Sequence, residues 1–172
     1  TRIMPFRGKE VQVAERLPLD LPGGLPASNS QAEAAGVRLA WAAMNCWYLL
    51  STAEAEGDVA ARLNGLASLT RAGDGFLPLK VTGPSWAGFM EKATVLDLRD
   101  LQPGFATYSL MAHTKVHLTC LAGGEFLLLI PASHAASFWD WARTSAGEFG
   151  FHAQTAPADV LFSRAEGMAR SA

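Results

Sequence analysis

The sequence predicts an α+β fold, an antiparallel or mixed sheet with helices on one side. Three observations lead there. Short β-branched and aromatic runs alternate with segments of helical spacing, Gly-rich and Pro-rich turns separate them, and no apolar stretch approaches the roughly 20 residues of a membrane span. The 172 residues suffice for one domain, or for two half-domains sharing a sheet, with a sizeable core. A hydrophobic content of 49% against 17% charged residues leaves apolar surface to spare for a partner. The net charge of −2, with scattered Lys and Arg, argues against a nucleic-acid surface. No membrane is expected as partner either.

The elements follow in order. Residues 1–36 read as an extended N-terminal arm, because Pro18, Pro22 and Pro26 remove amide donors and restrict φ. Leu17, Leu19, Leu21 and Leu25 are too apolar for a free linker and are expected to pack. Val37 to Ala42 and Cys46 to Leu50 read as two strands meeting at Met44-Asn45. Ser51-Thr-Ala-Glu54 offers a capping box for a helix whose inward stripe is Val59, Leu63 and Leu66. Ala67 to Arg71 and Phe76 to Val81 flank Ala-Gly-Asp-Gly as a hairpin. A second helix carries Trp86, Phe89, Met90 and Ala93 on one face, with Pro84 in its first turn.

Three further strands are expected over Ala106 to Ala112, Lys115 to Leu121 and Glu125 to Ile130, the last two joined by Gly123-Gly124. Ser133 or Ser137 opens a third helix bearing Phe138, Trp141, Ala142 and Ser145, ending before Gly147 or Gly150. The domain so defined spans 37–150, as one unit or two half-domains, and 151–172 is a C-terminal tail.

Candidate chemistry is sparse. His113 and His117 would lie about 13 Å apart on one strand at about 3.3 Å per residue, too far to share a metal. No metal site is expected. Asp97, Asp100 and Glu91 mix with Lys92 and Arg99 as a solvated, salt-bridged surface. There is no Gly-x-Ser-x-Gly elbow, no Gly-x-Gly-x-x-Gly and no P-loop, so neither a nucleophilic serine nor independent nucleotide binding is indicated. Cys46 and Cys120 read as buried free thiols, or as one disulfide if they face each other. The opening Thr1-Arg-Ile-Met-Pro-Phe6 lacks a secretory apolar run, and a cytoplasmic protein is expected. Trp139 and Trp141 cannot both enter one core from one helix, so Trp139 is a candidate partner contact, with Trp86 and His134.

The segment 79–141 joins Val81-Thr-Gly-Pro84, Val95-Leu-Asp-Leu98, Pro103-Gly-Phe-Ala-Thr-Tyr108, Ala112-His113 and Pro131-Ala-Ser-His-Ala-Ala-Ser-Phe-Trp-Asp-Trp141. In that order these pieces resemble the gamma subunit family of heterotetrameric sarcosine oxidase, although an Arg commonly stands there in place of Ala132. The resemblance implies a fold like the aminomethyltransferase folate-binding domains, with ferredoxin-like halves. It also implies a non-catalytic structural subunit with no catalytic, cofactor-binding or metal residues of its own. FAD, FMN and NAD would sit in larger alpha and beta subunits beside a small delta subunit. Such a complex oxidatively demethylates sarcosine or a related secondary amine and passes the one-carbon unit to tetrahydrofolate. Other readings are a stand-alone folate-binding one-carbon protein, and an adaptor binding through the proline-rich arm.

Overall fold

A computed structural model describes residues 1–156 apart from Asp20, Pro22, Gly23, Ala35, Ala122 and Gly123, together with the backbone alone of Ala53. The first sheet contains β1 (Arg2–Pro5), β2 (Gln31–Ala34), β3 (Val37–Ala43), β4 (Cys46–Leu50) and β5 (Ala67–Thr70) in the order β2-β3-β4-β1-β5. Helices α1 (Glu10–Arg16) and α2 (Ala53–Arg62) cover one face. The second sheet has the order β6-β9-β8-β7, from β6 (Phe76–Val81), β7 (Ala106–Met111), β8 (Thr114–Cys120) and β9 (Phe126–Pro131). Its helices are α3 (Trp86–Ala93) and α4 (Ala135–Ala146). Every strand pairing between these named strands is antiparallel.

Period-2 alternation decides what each sheet buries. Ile3, Leu39, Trp47 and Leu49 face α1 and α2, meeting Val13, Leu17, Val59 and Leu63. Val116, Leu118, Phe126, Leu128 and Ile130 face α3 and α4, meeting Phe89, Met90, Ala93, Phe138 and Ala142. The intervening residues point the other way, where Leu121, Leu127 and Leu129 pack with Tyr48, Leu50 and Phe76. The two sheets therefore lie against each other, with helices outside both. Phe126 to Ile130 is buried on both faces, which is why it reads as an unbroken apolar run.

The α+β class and the single-face helix cover are as the sequence indicates, with two sheets in place of one. The strand pair 37–43 and 46–50 turns at Met44-Asn45, and Asn45 holds the positive φ of 53° that Asn tolerates well. The segment β1-α1-β3-β4-α2-β5 is a βαββαβ unit with β1 between β4 and β5. β2 extends its edge, and the second half is a β7-β8-β9 meander to which β6 adds on the far side.

Several expectations are corrected. Residues 1–36 are no extended arm, since they supply an interior strand, a helix and an edge strand. A four-residue strand ending in proline carries too little pattern to be read, yet Ile3 is fully buried. The described part of 17–30 does lie outside helices and strands, as Pro18 and Pro26 favour, and Leu17, Leu19, Leu21 and Leu25 pack into the first core; Pro22 lies outside the described residues. Ala67–Thr70 and Phe76–Val81 are not a hairpin: a 3-10 turn at Gly73–Gly75 carries the chain from one sheet to the other.

Thr52, not Ser51, caps α2, its Oγ1 accepting from the Ala55 amide at 3.4 Å. A capping box on Thr52 would need Glu or Gln where Ala55 stands. His134 occupies the cap of α4 without a side-chain capping bond, behind a 3-10 turn over Ala132–His134, and Ser137 lies inside the helix. Pro84 precedes α3, which begins at Trp86. Ala112 and His113 form the β7–β8 turn with φ of 47° and 64°, so His113 is not on the strand of His117. The Ala112 amide donates to Ala93 O at 3.1 Å, tying this strained turn to the end of α3. Gly123 of the expected glycine turn, and the tail from residue 157, lie outside the described residues.

Two helical glycines differ in what surrounds them. A Cβ on Gly57 in α2 meets nothing within 4 Å, whereas one on Gly88 in α3 meets the Phe149 ring at 2.9 Å. Gly57→Ala is expected to raise stability by about 0.5–1 kcal/mol, the ordinary gain for an exposed helix interior. Gly88→Ala should show no such gain, because Phe149, held under Lys92 in a cation–π contact, must move. Urea denaturation of the two variants checks the contrast; equal gains would mean that Phe149 yields freely.

Candidate functional site

Two features stand out from the packed background: a buried polar cluster between the sheets and an apolar groove on the surface. The cluster arises from alternation. Trp47 and Leu49 turn toward α1 and α2, so Tyr48 between them faces the second sheet. Val116 and Leu118 turn toward α3 and α4, so His117 faces the first, directly paired across β7–β8 with Tyr108.

There the Tyr48 and Tyr108 hydroxyls share a 2.6 Å hydrogen bond, and the His117 ring stands edge-on to both phenols with centroids 5.2 and 5.1 Å away. His117 Nε2 donates to the Trp41 carbonyl on β3 at 2.9 Å, which requires the proton on Nε2 and leaves Nδ1 as an acceptor. His117 is fully buried, and Nδ1 meets no donor among the described residues. Lys115 Nζ lies 4.6 Å from the Tyr108 ring centroid.

Burial drives His117, Tyr108, Cys120 and Cys46 toward their neutral forms. Desolvation lowers the pKa of His117 to about 4, against the weaker pull of its bond to Trp41. Desolvation raises that of Tyr108, aided by the Tyr48 hydrogen bond. It pushes Cys120 up to about 12, and raises Cys46 against the opposing charge of Arg2. A general acid or base is most effective with a pKa near the working pH, and none of these shifts moves toward neutrality. The cluster behaves as a neutral tie between two sheets.

The groove lies between α1, residues 24–28 and the β3–β4 turn. Its volume is about 420 Å³, and Glu10, Val11, Leu25, Trp41, Met44 and Trp47 are among its lining. The Trp47 indole donates to Pro26 O at 2.8 Å and Asn45 Nδ2 donates to Pro5 O at 3.0 Å, which hold the walls together. Met44 is 90% exposed and Val11 69% exposed, with Phe6 nearby in sequence at 48%.

The three partner-contact candidates are not brought together. Trp86 is half-buried, its ring tilted at 47° to Phe126 with centroids 4.9 Å apart, and close over Gly124. His134 is exposed, its Nδ1 3.0 Å from Ser133 Oγ. Trp139 is 36% exposed on α4, while Trp141 packs against Phe89 and Phe138. Asp97 pairs with Arg99, whose hydrogen bonds hold its carboxyl below the usual range, and Asp100 and Glu91 are exposed. Cys46 and Cys120 are free and buried. Among the described residues no group of three or more His, Cys, Asp or Glu is placed to hold a metal, and no helix is long and apolar enough to cross a membrane.

Sequence reasoning missed Tyr48, Tyr108, Val11 and Met44. The signal for the first pair was His117 itself, alternating with Val116 and Leu118 on the wrong face for an outer strand. Met44 carried one too, as a large apolar residue at a turn.

His117 gives a pH prediction. Its folded pKa of about 4 lies below the ordinary 6.5, so unfolded chains take up its proton first as acid is added. The stability from burying the neutral ring is complete above pH 6.5 and is lost as pH falls toward 4, by about 3 kcal/mol in total. His117→Gln, which keeps a donor for Trp41 O, should flatten that part of the stability profile, measured by denaturant unfolding across the range. Tyr108→Phe should cost about 1–2 kcal/mol at pH 7 by removing the partner of Tyr48.

No protein-family model matches the chain, and no curated protein does. Among solved structures, a chain of the heterotetrameric sarcosine oxidase from Corynebacterium sp. U-96, in complex with pyrrole 2-carboxylate, superposes with a TM-score of 0.74. The match is 19% identical and covers 91% of this chain and 83% of that one. The fold of this chain is thus that of a chain of a heterotetrameric sarcosine oxidase.

Proposed function

We propose that this chain is the non-catalytic gamma subunit of a heterotetrameric flavin-dependent oxidase acting on sarcosine or a related N-methyl amine. The observation that carries the reading is the extent of the likeness, 91% of this chain and 83% of its counterpart, with no large piece of either left over. The interior supports it, since burial holds His117 and Tyr108 in neutral forms unsuited to proton transfer at pH 7. So does the surface, where Val11 and Met44, 69% and 90% exposed, line one groove and offer apolar area to a partner. In this reading the chain works by assembly. FAD, FMN and NAD belong to larger alpha and beta subunits, a small delta subunit completes the complex, and the one-carbon unit passes to tetrahydrofolate in the cytoplasm.

The test is affinity isolation of the tagged chain from its source, with mass spectrometry and an absorption spectrum of the eluate. Large subunits carrying a flavin spectrum are expected. A lone colourless protein overturns the reading, and folate binding by that protein would establish a one-carbon protein instead. Within an assembled complex, Trp139→Ala should lower the yield of complex more than turnover per complex, because its proposed role is packing. Loss of turnover at full assembly would count against that role.

A further inference from the structure

The groove beside α1 has a composition that selects its occupant. Two indoles, Trp41 and Trp47, sit with the aliphatic Val11, Leu25 and Met44, and Glu10 is the one charged residue among its described lining. Glu10 is exposed and makes no ion pair among the described residues. A carboxylate that shares a groove with two indoles and has no ion pair among the described residues suits a cation, which charge and the ring quadrupole both attract. Val11 and Met44, exposed at 69% and 90%, would become buried only when something apolar lies across them.

Taking its partner from the subunit reading above, we propose that this groove docks a segment of a large subunit that carries one Arg or Lys among apolar residues. The cation pairs with Glu10 over Trp41, and the flanking apolar side chains cover Val11 and Met44. The walls are pre-formed by the Trp47–Pro26 and Asn45–Pro5 hydrogen bonds, so little ordering is lost on binding. Electrostatic pairing then sets which segment is accepted, and apolar burial supplies most of the affinity.

The test uses the full chain and two variants on the exposed rim, Glu10→Lys and Met44→Asp, each first shown to unfold at the wild-type denaturant concentration. The Met44 methyl resonance is followed while acetyl-Gly-Leu-Arg-Leu-Gly-amide is added, and separately with Glu in place of Arg. A saturable shift with the Arg peptide, at least tenfold weaker in Glu10→Lys and with the Glu peptide, supports the proposal. No shift, or equal response to both peptides, overturns it. In cells, each variant competes with tagged wild type for the large subunits, and at least a tenfold deficit in recovered complex is expected. Equal recovery beside flavin-containing subunits overturns the docking surface and leaves the subunit reading standing. Wild type recovered without such subunits overturns the subunit reading, and the peptide titration alone then decides the groove.

Discussion

The constraint on which the rest depends is that β8 and β9 must be buried on both faces at once. Helices α3 and α4 take Val116, Leu118, Phe126, Leu128 and Ile130, and the first sheet takes His117, Leu127 and Leu129. A strand with two apolar interfaces cannot shift register by one residue without exchanging them. His117 makes that exchange costlier, because its Nε2–H is bonded to the Trp41 carbonyl in the present register. One-residue slippage would take a polar ring into the helix-facing core with its donor unmet. The hydrogen bond is modest in net energy, yet it discriminates strongly between alternative packings.

Around this layer the halves are joined at their rims by backbone. Ser30 bridges Phe105, the Gln31 amide donates to Gly104 O at 2.9 Å, and the Ala106 amide donates to Asn29 O at 3.1 Å. Gln31 adds a side-chain bond from Nε2 to Cys120 O at 3.1 Å. The segment leading into β2 is therefore a seam between two sheets, though it looks like the end of a proline-rich linker. Its irregular backbone is spent on contacts that a regular strand would have used within one sheet.

Much of the fold was legible because local signals were strong where they agreed with the whole. Helices α3 and α4, the β3–β4 pair and the β7–β8–β9 meander follow from apolar spacing and turn residues alone. What escaped was set by distance along the chain. Arg2–Pro5 becomes an interior strand only because residues 47–48 and 67–70 flank it, and four residues cannot announce that. The Ala-Gly-Asp-Gly turn is competent for a hairpin, but its two flanking strands find better partners in β1 and β9. The site was less legible still. Trp86, read as a candidate partner contact, is half absorbed by Phe126 and Gly124, while Tyr48 and Tyr108, given no role in the sequence reading, meet across 60 residues.

The βαββαβ unit has a consequence for the order of folding. Its strands, helices and first core are all encoded by about the first 70 residues, and its pairings are complete before β6 exists. On a ribosome this half leaves the exit tunnel first and can close on itself, with Tyr48 and Leu50 turned outward on a bare sheet face. That face stays uncovered until β8 and β9 arrive, and apolar surface exposed during synthesis is where association with other chains begins. The polar pair of Tyr48 and its later partner Tyr108 moderates the hazard, since a hydroxyl on that face can be solvated while it waits.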